Sequence, residues 1–199
     1  MAEDALSCDL HATGDIVDED QALVAAAQRD TEAAGRLFDK YYSEVFDYIY
    51  HCTLDHAVTE DLTSNVFLAA FQHLGRFRWR QIPFRAWLFR IATNEIRMHW
   101  RRQKRAKMVS LQADGNIRAA APSEADRLEA AEEYRLVHKA LLELRVKYRT
   151  VIVLRYFEDK AIAEICDITG RKEGTVKSQL HRGLARLQDI LTSWGLLPE

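Results

Sequence analysis

Residues Phe157 to Leu187 read FEDKAIAEICDITGRKEGTVKSQLHRGLARL. Ile162, Ile165 and Cys166 recur at helical spacing and predict one short amphipathic helix. Gly170 follows, a residue that enters the left-handed region at no steric cost because it lacks a Cβ. A second helix is expected next, with Val176, Leu180, Leu184 and Leu187 as its buried stripe. Two short helices joined through a Gly-containing turn are the helix-turn-helix pattern. The outer face of the second helix carries Lys177, Ser178, His181 and Arg182. Those groups suit phosphate and base-edge contact in a major groove.

Working upstream, the same period recurs. A helix is expected from Asp20, with Leu23 and Ala26 or Ala27 inward. Leu37, Phe38, Tyr41, Val45, Tyr48 and Ile49 mark a second helix. Asp55 is a plausible N-cap for a third, whose stripe is Leu62, Val66, Phe67, Ala70, Phe71 and Leu74, and Gly75 is placed to end it. Pro83 stands where a first helical turn tolerates proline. A long helix then runs to about Arg105 with Phe84, Trp87, Leu88, Ile91 and Ala92 inward. Tyr134, Leu141 and Leu144 mark another helix, and Tyr148, Val151, Ile152 and Leu154 the next. Residues 109–127 contain Gly115, Ala119 to Ala121, Pro122 and Ser123 with little apolar bulk, the composition of a linker. The expected fold is therefore all-α. Two small helical domains, 20–108 and 128–199, are joined by a flexible linker (109–127), the second domain being a helix-turn-helix domain. Residues 1–19 form an acidic tail without an apolar period.

The formal charge of −2 over 199 residues hides a polarity. Residues 1–75 hold 15 acids and 3 bases, whereas residues 76–107 hold 11 bases and the single acid Glu95. So dense a basic block attracts a polyanion, and nucleic acid is the usual one. The block also holds Phe77, Trp79, Phe84, Trp87, Phe89 and Trp100. Aromatic faces stack on unpaired bases while Arg and Lys follow phosphates. Phe84 and Trp87 have core spacing. Trp79 lies in a polar stretch.

Several classes are disfavoured. The longest apolar runs, Ala22 to Ala27 and Val66 to Phe71, are far short of the roughly 20 residues that span a bilayer. Glu3, Asp4 and Asp9 stand where a secretory leader would be positive. Three scattered cysteines, Cys8, Cys52 and Cys166, fit a reducing cytoplasm better than a disulfide framework. His51, Cys52, Asp55 and His56 lack the spacing of a structural zinc site. There is no Gly-rich phosphate loop and no nucleophile elbow, so neither an enzyme nor a cofactor is expected.

The string EGTVKSQLHRGLARL (Glu173–Leu187) resembles the recognition helix of bacterial extracytoplasmic-function (ECF) sigma factors, the smallest members of the sigma-70 family. TEDLTSNVFLAAF (Thr59–Phe71) resembles their region 2 helix that docks on the polymerase clamp. FRAWLFRIATNEIRMHWRRQKR (Phe84–Arg105) resembles the promoter-melting segment, and LELRVKYRTVIVLRYFED (Leu142–Asp159) the start of region 4. The resemblance implies core RNA polymerase and promoter DNA as partners, with an anti-sigma factor as a further partner it allows. It places core binding on Glu60, Asp61, Leu62, Val66 and Phe67. Glu60 and Asp61 equally suit a helix N-terminus, where carboxylates complement the dipole.

For the minus-ten element the resemblance points to the loop Arg76, Phe77, Arg78, Trp79, Arg80 and Gln81 as the capture site of an unstacked base. Asn94 reads either as a base-edge contact or as a solvated helix residue. Arg97, Arg101, Arg102, Lys104 and Arg105 suit phosphates. For the minus-thirty-five element the residues are Arg171, Lys172, Gly174, Thr175, Lys177, Ser178, His181 and Arg182. Three departures stand out. Arg171 and Lys172 replace the family's frequent Ile-Ser after the turn glycine. Ala161 stands where a Ser cap is common, making Asp159 the expected cap. The loop Arg78 to Pro83 is one residue longer than the usual pattern.

Overall fold

The computed structural model describes residues 20–79, 82–110 and 130–197. The expected tail over 1–19, loop residues Arg80 and Gln81, and 111–129 of the expected linker lie outside the described residues. Those described form eight helices and no strand: α1 (20–27), α2 (Thr31–Thr53), α3 (His56–Leu74), α4 (Phe84–Ser110), α5 (Ala130–Glu143), α6 (Val146–Tyr156), α7 (Ile162–Thr169) and α8 (Glu173–Ser193).

Helices α1 to α4 form the first bundle. The Asp30 carboxylate caps α2 by accepting from the backbone N–H groups of Glu32 and Ala33. Asp55 caps α3 by accepting from Val58 N–H at 3.0 Å, as its position predicts. Gly75 ends α3 but keeps right-handed dihedrals. The left-handed residue in this bundle is Leu54, with φ 54°, at the corner between α2 and α3. Buried hydroxyls hold that corner: Thr53 Oγ1 lies 2.9 Å from Thr59 Oγ1 and donates to Ile49 C=O. The core joins Leu37, Tyr41, Val45, Tyr48 and Ile49 of α2 to Val66, Phe67 and Ala70 of α3 and to Phe84, Leu88, Phe89, Ala92 and Ile96 of α4. On α1, Val24 and Ala27 are the buried pair, with Leu23 and Ala26 packed against the core less completely. Asp20 is buried too, receiving a hydrogen bond from Tyr41 Oη and an ion pair from Lys40.

Helices α5 to α8 form the second bundle around Leu141, Leu144, Tyr148, Val151, Ile152, Leu154, Ile165, Ile168, Val176 and Leu180. Gly170 takes the left-handed conformation (φ 67°) and its N–H bonds Cys166 C=O, which closes α7 and turns the chain into α8. Two expectations need correction. Asp159 does not cap α7: it sits in a left-handed turn (φ 47°), and the Glu164 carboxylate instead accepts from Ala161 N–H at 2.8 Å. The buried stripe of α8 is Val176, Gln179, Leu180 and Gly183, whereas Leu184 is exposed. Gly183 sits where α8 crosses α6, and this close approach moves the stripe off Leu184.

The bundles meet along a seam in which α7 lies against α4, and α5 and α6 lie against α2. Arg149 of α6 donates to Leu141, Leu142 and Leu144 C=O at the end of α5 and, across the seam, to Cys52 C=O at the end of α2. In the other direction, Arg90 of α4 donates from Nε and Nη2 to Asp167 C=O near the end of α7. Helix C-termini leave carbonyls unsatisfied and carry partial negative charge, so a guanidinium suits both places.

Candidate nucleic-acid interface

The outward row of α8 is accessible. Lys172, Glu173, Gly174, Thr175, Lys177, His181 and Arg182 are exposed, and Arg171 and Ser178 half-buried. Lys172 occupies the cap position with no side-chain cap, leaving the first amides of α8 open to an acceptor. Lys177 pairs with Glu173, one turn earlier on α8, which raises the affinity of the ammonium for its proton and lowers that of the carboxyl. Both groups are exposed, so the pair exchanges readily for a phosphate.

The loop after α3 divides into buried and available parts. Phe77 is buried, ringed by Trp79 edge-on at 6.0 Å, Phe84 at 5.6 Å and Trp87 at 4.9 Å. It supports the loop and is not an open stacking face as expected. Gln28 Nε2 anchors the same turn by donating to Leu74 and Phe77 C=O, each at 3.0 Å. Trp79 is half-buried and borders a cleft of about 470 Å³ shared with Gln28, Arg29, Phe77 and Arg78. Arg76 and Arg78 are exposed.

Along α4, Asn94, Arg101 and Arg102 are exposed. Arg97 is partly buried, and burial, followed by the nearby Arg171 charge, weakens its hold on its proton. The two basic surfaces thus approach each other at Arg97 and Arg171. Trp100 is half-buried beneath the Arg149 guanidinium, 4.5 Å from the ring centre.

On α3 the structure separates two groups that the sequence pattern joins. Glu60 and Asp61 are exposed, but Leu62, Val66 and Phe67 are 6%, 0% and 4% exposed and belong to the core. These three cannot form a docking surface while α3 is packed. The outer face comprises Glu60, Asp61, Ser64, Asn65 and Leu68, the last 58% exposed. Sequence reasoning missed Leu68, although it falls off the apolar stripe and so points outward. It also missed Arg149, whose signal was a charge inside the apolar run Tyr148 to Leu154.

Two family models match in the order the fold suggests: Sigma-70 region 2 over residues 37–106 and Sigma-70 region 4 over residues 134–187. The ECF RNA polymerase sigma factor SigL of Mycobacterium tuberculosis is 32% identical over 173 residues, which cover 86% of this chain and 96% of SigL. This chain belongs to the ECF sigma factors. BldN of Streptomyces coelicolor, another ECF RNA polymerase sigma factor, is 31% identical over 85% of this chain, though the match takes in only 64% of BldN. Among solved structures, CnrH in complex with the cytosolic domain of CnrY superposes with a TM-score of 0.66 at 25% identity, covering 87% of this chain and 97% of that one. The sigma factor RpoE of Bartonella quintana, in complex with the anti-sigma factor NepR, shares the fold at TM-score 0.62 and 23% identity, over 79% of this chain and 96% of RpoE. The first bundle is thus the region 2 domain of an ECF sigma factor, and the second its region 4 domain.

Proposed function

We propose that this sigma factor binds core RNA polymerase and directs initiation at specific promoters, without catalytic activity or a cofactor of its own. The observation that carries the reading is the outward row of α8. Lys172, Thr175, Lys177, His181 and Arg182 stand exposed beyond a left-handed Gly170 turn, on a helix whose opposite side is buried. That arrangement fits a major groove, with the minus-thirty-five element as its duplex target. The exposed residues of the α3 outer face are acidic and then apolar, which suits a basic helical surface on the core enzyme. The cleft beside Trp79 is lined by Arg29, Arg78 and Gln28, the last tied by its Nε2 to the loop backbone. These groups suit a base unstacked from the minus-ten element.

Domain limits near 20–108 and 128–199 fit this division of labour, with action in the cytoplasm beside the polymerase. Among the described residues no helix is long and apolar enough to cross a membrane. A protein partner of the anti-sigma kind is a further expectation, supported by the likeness to CnrH, which was solved with the cytosolic domain of CnrY. The test is run-off transcription with core polymerase and a pool of random promoters. Discrete starts that require this protein and share upstream elements are the expected result. Transcripts indistinguishable from core alone would overturn the reading.

A further inference from the structure

The turn that follows α3 leaves the carbonyls of Leu74, Gly75 and Phe77 without a further helical turn to supply donors. Two side chains meet them. Arg78 Nη1 donates to Gly75 and Phe77 C=O, each at 3.0 Å. Gln28, the first residue after α1, donates from Nε2 to Leu74 and Phe77 C=O, also at 3.0 Å each. Both partners of Gln28 are carbonyl oxygens, so its amide has one workable orientation and both of its N–H groups are used. Phe77 C=O thus has two donors, one from within the loop and one from outside it.

We propose that Gln28 is a positioning residue for the minus-ten cleft: it ties the loop to the end of α1, so that Trp79 keeps its place when Arg78 leaves the turn for DNA. The inference rests on the minus-ten reading above and deepens it.

Arg78 is exposed, yet its guanidinium is engaged by its own loop. A phosphate offers that fork paired anionic oxygens, a better match than two neutral carbonyls. Once Arg78 turns outward, exposed Gly75 can pair its carbonyl with water, and Phe77 C=O still holds Gln28. The support behind Gln28 is firm. Val24 and Ala27 of α1 are buried, and Asp20 at its start is held by Tyr41 Oη and by Lys40 at 2.9 Å. From Phe77 the path to the cleft is short. The Phe77 ring is buried against Phe84 and Trp87, and Trp79 packs edge-on to it with ring centres 6.0 Å apart. A loop released at Phe77 would therefore carry Trp79 with it. Gln28 is itself exposed, so its substitution removes the two hydrogen bonds without emptying the core.

The experiment uses the full chain with core polymerase and a promoter recovered from the random pool. Gln28→Met keeps length and removes both donors. Gln28→Glu keeps shape but turns a carboxylate toward two carbonyl oxygens. Each is made alone, and Gln28→Met is also combined with Trp79→Ala. Closed-complex affinity, permanganate reactivity of the melted strand, base preference at each minus-ten position and melting temperature are measured. For Gln28→Met the expected result is closed-complex affinity within about twofold of wild type, open-complex yield lower by about tenfold and a flattened preference at one minus-ten position, with Gln28→Glu more severe. Added to Trp79→Ala, Gln28→Met should change little, because both act on one stacking site. Wild-type open-complex yield and base preference in Gln28→Met would overturn the positioning role, as would losses that add in full to those of Trp79→Ala. Equal losses of closed and open complex with a lowered melting temperature would mark a structural role alone and overturn it too. A wild-type footprint for Trp79→Ala would instead overturn the cleft reading, and absence of specific transcripts from wild type the sigma-factor reading.

Discussion

Gly183 of α8 crosses Ile152 of α6 so closely that a Cβ on Gly183 would stand 2.9 Å from Ile152 Cδ1 and 3.2 Å from Tyr148 Cβ. Helix α8 is therefore seated directly on the Ile152 and Tyr148 side chains, with no side chain of its own at the crossing. Gly183→Ala would add helix propensity of about 1 kcal/mol. The added methyl, however, overpacks a core in which Ile152 is 1% exposed, at a cost of about 1–3 kcal/mol. The expected outcome is a lower melting temperature. Ile152→Val removes the clashing methyl, so the pair Gly183→Ala/Ile152→Val should be less destabilised than the sum of the two single variants. Additive effects would show that the crossing is not the source of the strain.

His138 gives the fold a pH dependence. It is buried against Tyr134, Phe157 and His51, and burial, followed by the His51 charge, lowers its pKa from 6.5 to about 4. The unfolded chain takes up this proton first as pH falls through 6.5, so stability is full above that value and declines down to about 4. Between about pH 7 and about pH 5 the decline is on the order of 2 kcal/mol. Urea midpoints at the two pH values measure it, and His138→Phe, which keeps a ring in place, should flatten the profile.

The two sides of α3 should respond differently to substitution. Glu60→Lys with Asp61→Lys, or Leu68→Asp, alters only exposed side chains and should weaken core polymerase binding while leaving the melting temperature within about a degree or two. Phe67→Ala empties a core position and should cost about 3–5 kcal/mol of stability. Binding to immobilised core enzyme and thermal unfolding separate the two effects. Equal core affinity for wild type and the charge-reversed chain would sink the docking assignment.

Much of this architecture is written locally. The stripes of α2, α3 and α4, the Asp55 cap and the left-handed Gly170 each follow from spacing or from one residue's conformational range. The exceptions have physical reasons. Leu184 belongs to the apolar period of α8, yet Gly183 brings α6 so near that the buried face rotates toward Gln179 and Gly183. Leu62, Val66 and Phe67 fit both a buried stripe and, by resemblance, a docking surface, and one packed face cannot be both. Arg149 reads as a solvated charge until its neighbours from Tyr148 to Leu154 prove to be buried. Its partner carbonyl at Cys52 lies 97 residues away, beyond any local pattern.

Trp79 and Phe77 should also separate. Trp79→Ala is expected to impair open-complex formation more than closed-complex binding, because a stacking partner becomes available only once a base is unpaired. Phe77→Ala removes a buried ring from the cluster with Phe84 and Trp87 and should lower stability as well as activity. Permanganate reactivity of the melted strand at limiting protein, set beside thermal unfolding, distinguishes the cases. A wild-type footprint for Trp79→Ala would remove that residue from melting.

On α8, positioning and readout are expected to fall to different side chains. Lys177 is exposed, flexible and paired with Glu173, which suits a phosphate contact and carries no base information. Lys177→Ala should weaken binding uniformly across sequences and reduce the salt slope by about one. Arg182 is exposed further along the same helix and presents a planar fork that fits a guanine edge. Arg171 lies at the turn, half-buried beside Arg97, so it is less free than Arg182 to reach a base. If Arg182 reads a base, Arg182→Ala should cost about 1–3 kcal/mol and relax preference at one position, with Arg171→Ala acting more evenly across sequences. Selection of bound duplexes at fixed salt by wild type and the three variants decides the matter. If Arg182→Ala returns the wild-type consensus with only weaker binding, its contact is to phosphate, and base readout passes to Ser178 or His181 on the same outward row.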